Sequence, residues 1–69
     1  MKKSLWSLIK VNTECMMSAD SVRTISYFKG KVDAYLVILV SDTSCTQKEY
    51  DLASRIVDKL YEKKMLFHT

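Results

Sequence analysis

Val32-Asp33-Ala34-Tyr35-Leu36-Val37-Ile38-Leu39-Val40 is a nearly unbroken apolar run, and the period assigned to it decides the fold. Read with a period of two, Val32, Ala34, Leu36, Ile38 and Val40 fall on one side, and Tyr35, Val37 and Leu39 on the other. Both sides are then apolar, as in a strand covered on two faces. The β-branched content and the flanking Gly30 and Ser41-Asp42-Thr43-Ser44 favour this reading, so a central strand is expected over residues 32–40.

Working upstream, Val22-Arg23-Thr24-Ile25-Ser26-Tyr27-Phe28 is again β-branched and aromatic and leads into Lys29-Gly30, which reads as a hairpin turn. That turn pairs Tyr27 with Val32, Ile25 with Ala34, Thr24 with Tyr35 and Val22 with Val37. A competing reading makes Ser21 to Lys29 a short helix with Asp20 as N-cap, Val22, Ile25 and Phe28 inside and Gly30 as its stop, for a β-α-β-α order. Leu5 to about Glu14 supplies a first strand, with Leu5, Ile9 and Val11 on one side and Trp6 and Leu8 on the other.

Downstream, Thr46 and Glu49 have the spacing of a capping box, which starts a helix near Gln47. Tyr50, Ala53, Ile56, Val57 and Leu60 recur at three- and four-residue steps as its apolar stripe. Lys48, Asp51, Arg55, Asp58, Lys59 and Glu62 fall mostly to solvent, Asp51 with Arg55 forms an i,i+4 pair, and Lys63 and Lys64 suit the C-terminal end of the dipole. Met65-Leu66-Phe67 either prolongs this helix or adds an edge strand. The expectation is one α+β domain over residues 1–69, a three-stranded, mainly antiparallel sheet followed by a C-terminal amphipathic helix.

Size limits what such a domain does alone, because a chain of 69 residues buries only about 60% of the surface it exposes when unfolded. One helix covers one face of a three-stranded sheet. The other face would hold Val22, Phe28, Tyr35, Val37 and Leu39, rimmed by Arg23, Lys29 and Lys31. A bare apolar face of that extent marks an interaction surface. The expected function is therefore a non-enzymatic protein-binding regulator, inhibitor or adaptor that forms a homodimer or docks a protein target, of a size that would suit a viral or plasmid-encoded factor. The alternative is an RNA- or DNA-binding module using the basic and aromatic hairpin 23–35.

Catalytic and metal chemistry find little footing. Nucleophilic catalysis needs a base beside Cys45 or a serine, and the single histidine, His68, is the penultimate residue, where fraying is expected. Cys15, Cys45 and His68 lack the close ligand spacing of a zinc site, and two cysteines suit core thiols of a reducing compartment better than a disulfide scaffold. The loop Ser41-Asp42-Thr43-Ser44-Cys45-Thr46 has no glycine with which to cradle a phosphate, and its residues are those of a turn and an N-cap. No catalytic residue, metal or cofactor is expected. Lys10 interrupts the N-terminal apolar run and no stretch reaches about 18 apolar residues, so a cytoplasmic chain without a membrane segment is expected. The net charge of +3 is uneven, with residues 1–31 at +4 (six basic, two acidic) and residues 32–69 at −1 (five basic, six acidic).

Overall fold

In the computed structural model, which describes residues 2–42 and 45–68, the 32–40 run is helical. The described residues form three helices, α1 (Lys2–Ser18), α2 (Val22–Ser41) and α3 (Gln47–Leu66), and contain no strand. This overturns the α+β sheet, the hairpin at Lys29-Gly30 with its pairings, and the β-α-β-α alternative alike.

The physical reason is period. Steps of three and four residues carry Ile25, Val32, Leu36 and Leu39 to one side of α2, where all four are buried. A short apolar run fits both periods, and only length separates them. Here no proline interrupts residues 22–41. Valine and isoleucine lose only a few tenths of a kcal/mol in a helix, which burial of their neighbours easily exceeds. Gly30 does not stop the helix either. It sits within α2, so it costs about 1 kcal/mol relative to alanine while leaving the helix unbroken.

Each helix start has a local cause. The N-cap of α2 is Ser21 rather than Asp20, its Oγ accepting from the Thr24 N–H at 3.2 Å. At α3 the capping box is formed. Glu49 N–H donates to Thr46 Oγ1 at 3.1 Å, and Thr46 N–H donates to Glu49 Oε1 at 2.8 Å. The last residues prolong α3 to Leu66, with Phe67 as C-cap. In α1, Leu5, Ile9, Asn12 and Met16 recur at helical spacing and turn inward, which explains why the predicted strand over 5–14 is absent.

The connections 19–21 and 42–46 are short, so consecutive helices run antiparallel. Packing is uneven: α2 lies against both neighbours, most extensively α1, and α1 touches α3 least. Two apolar clusters result. Ile9, Val32, Leu36, Leu39, Cys45 and Val57 join with Leu5, Trp6, Tyr35, Val40, Tyr50 and Ala53 at one end. Met16, Ala19 and Ile25 gather Phe28, Leu60, Tyr61 and Met65 at the other. Asn12 lies between these levels on α1, buried, with Nδ2 donating to the Leu8 carbonyl at 2.7 Å.

Candidate interaction surface

The exposed apolar side chains are not the product of a loose bundle. The accessible surface is 4795 Å², close to the roughly 4500 Å² of a folded monomer of this mass. The radius of gyration is 12.0 Å, against about 11 Å for a compact chain of this length. Even so, α2 is apolar on the side turned away from the core. At 100° per residue Tyr27, Gly30, Ala34, Val37, Ile38 and Ser41 share this outward side, and all are exposed. Tyr27 is 59%, Val37 49% and Ile38 46% accessible.

No carboxylate lies in that stripe between Tyr27 and Ser41. Its charges stand at the ends, Arg23 in the first turn and Asp42 at the C-cap. Gly30 has open space around it, since a Cβ built there meets nothing within 4 Å. The Tyr27 ring is placed by its neighbours, edge-on to Phe28 at 5.2 Å between centroids, with the Lys31 ammonium 5.4 Å from its own centroid.

The border between α2 and α3 is polar and tied. Lys29 Nζ reaches Asp33 Oδ2 on its own helix at 2.6 Å and Asp58 Oδ1 on α3 at 3.0 Å, and lies 5.3 Å from the Tyr61 ring centroid. Burial, the largest single influence on its pKa, disfavours the ammonium. The hydrogen bonds and charges of Asp33 and Asp58 together outweigh it, holding the pKa above its ordinary 10.5.

The residues expected from sequence to share one apolar face are separated. Val22 and Val37 are exposed, Phe28 and Tyr35 are half-buried against the two core clusters, and Leu39 is fully buried. A period of two had put them together; the helical period distributes them around α2. The charged rim is divided likewise. Arg23 is exposed, Lys29 is held by two aspartates, and Lys31 lies over Tyr27 and Phe28. The hairpin 23–35 that was to stack nucleobases is therefore not formed, and Phe28 is committed to the core. Tyr27, Gly30, Ala34 and Ile38 were not singled out as an outward stripe, although i, i+3 and i+4 spacing from Val37 would have found them.

Other sites offer less. Cys45 is buried and Cys15 half-buried, both as free thiols, and no group of three or more histidine, cysteine or acidic side chains among the described residues is placed to hold a metal ion. Thr43 and Ser44, the centre of the loop weighed as an anion site, lie outside the described residues. Asp51 accepts from Gln47 Nε2 at 3.0 Å rather than pairing with Arg55. An open depression of about 450 Å³ is lined by Ser4, Ser7, Leu8 and Val11, all from α1. No described helix is long and apolar enough to cross a membrane. Comparison with known protein families, curated protein sequences and solved structures finds no match to this chain.

Proposed function

We propose that the chain is a small helical protein-binding module, a regulator or adaptor rather than an enzyme, and that it works through the outward side of α2. The observation that carries this reading is the exposure of Tyr27, Val37 and Ile38 on one side of a helix whose opposite side already fills the core. A soluble surface that keeps such a stripe free of carboxylates is suited to receive another helix, because apolar contact without unpaired charge is what helix-in-groove recognition uses.

The test is capture of proteins from the native cell by the wild-type chain and by Tyr27→Asp/Ile38→Asp. Both positions are exposed, so the variant keeps its helical circular dichroism. Partners retained by the wild type and lost by the variant support the reading; equal capture by both overturns it.

A second reading draws on α3. Lys48, Arg55, Lys59 and Lys63 are exposed within one arc of that helix, with no carboxylate between them on that arc. Such a strip favours phosphate contacts. Affinity for a single-stranded oligonucleotide that falls steeply with salt and weakens in Lys59→Ala/Lys63→Ala would support it.

A further inference from the structure

We infer that the occupant of the α2 face is a second copy of this chain, with the two α2 helices antiparallel about a twofold axis near residue 32; this rests on the reading of α2 as the binding face. The argument begins with the two charges that end the stripe. Arg23 stands in the first turn of α2, where the helix dipole is positive, and Asp42 at its C-cap, where the dipole is negative. Each has the sign its own helix end disfavours, and Arg23 makes no ion pair among the described residues. An antiparallel copy reverses both relations. It sets Arg23 beside the partner helix's C-terminal end and its Asp42, and does so twice by symmetry. A parallel copy would instead set Arg23 against Arg23 and Asp42 against Asp42.

The apolar part of the stripe has the same symmetry. A twofold axis at residue 32 places Gly30 opposite Ala34 and Tyr27 opposite Val37. The smallest residues then meet at the centre, where two helices approach most closely, and larger ones close over the ends. The open space around Gly30 is the space such a backbone would occupy.

The same openness separates assembly from folding, because a Cβ added at Gly30 meets nothing within 4 Å and a longer side chain starts from open space. Wild type is expected to sediment as a concentration-dependent dimer. Gly30→Leu is expected to keep the wild-type circular dichroism and thermal transition at low concentration, and to weaken the dimer at least about tenfold. Ala34→Glu, at an exposed position on the same stripe, should do likewise and serves if Gly30→Leu does not fold. Arg23→Asp should weaken the dimer, and the exchange Arg23→Asp/Asp42→Arg should restore it. A wild-type monomer throughout the concentration series overturns the inference, as does a dimer indifferent to Gly30→Leu and Ala34→Glu. Failure of the charge exchange to restore what Arg23→Asp loses overturns the antiparallel arrangement. None of these outcomes bears on protein capture lost with Tyr27→Asp/Ile38→Asp, so the broader reading stands or falls separately.

Discussion

The two sides of α2 are built from the same kinds of residue and have opposite fates. Val32 is fully buried and Val37 is 49% accessible; Leu39 is fully buried and its neighbour Ile38 is 46% accessible. Hydrophobicity therefore does not identify the core of this chain, and phase around the helix axis does. The inner side is continuous with α1 and α3 through two clusters. The outer side has its small residues, Gly30 and Ala34, at the centre and charges only toward its ends, and no other helix of the chain covers it.

The sharpest way to break this comparison is to truncate matched residues on each side and measure unfolding by urea at low concentration, where any assembly is dissociated. Leu36→Ala removes a side chain that is 1% exposed and leaves a cavity among Ile9, Val32 and Val57, so it should cost about 3 kcal/mol. For a domain this small that is most of the total stability. Ile38→Ala truncates a side chain that is 46% accessible and should cost about 0.5 kcal/mol. Equal losses at the two positions would mean that the sides of α2 are not distinguished as described.

How much of this was legible in the sequence differs helix by helix. α3 was readable because its outer side is charged, which leaves a single apolar stripe, and because Thr46 and Glu49 mark its start. In α2 the outer side is apolar as well, so the 3.6-residue rhythm is lost and the run satisfies a period of two equally well. The apolar outer side hid the fold. In α1 the inward row includes a polar residue, Asn12, which interrupts an otherwise regular Leu5, Ile9, Met16 pattern. Of the residues expected on one apolar face, Val37 is exposed on the outward side of α2, because exposure at one residue survives a wrong period. Phe28, Tyr35 and Leu39 were misplaced because face-sharing does not.

Lys29 lies on the border between the two sides and tests whether that border is held by charge. Lys29→Met keeps the aliphatic stem and removes the contacts to Asp33 and Asp58, with an expected loss of about 1 kcal/mol, since both aspartates remain roughly half in solvent. The folded chain holds the Lys29 proton more tightly than the unfolded chain does. Its contribution is therefore complete below pH 10.5 and declines as the pH rises through the higher native value. The gap between wild-type and Lys29→Met urea midpoints should be constant from pH 7 to about 10 and narrow above that. A gap that widens in alkali would show that the ion pairs do not stabilise the α2–α3 contact.

A further small effect has the opposite sign. Gly30 lies within α2, on its outer side, with nothing beyond its own stretch of helix within 4 Å of the position of a Cβ. Alanine there would restrict the unfolded chain and meet nothing in the folded one, so Gly30→Ala should raise the stability of the monomer by roughly 0.5 to 1 kcal/mol. A core-facing glycine behaves differently, since an added methyl on the inner side would collide with a neighbouring helix and destabilise. Urea unfolding at low concentration reads this directly, and a loss of stability would mean that the glycine already serves a contact within one chain. A gain leaves its cost without a return in the monomer, and places whatever return it has at the face turned outward.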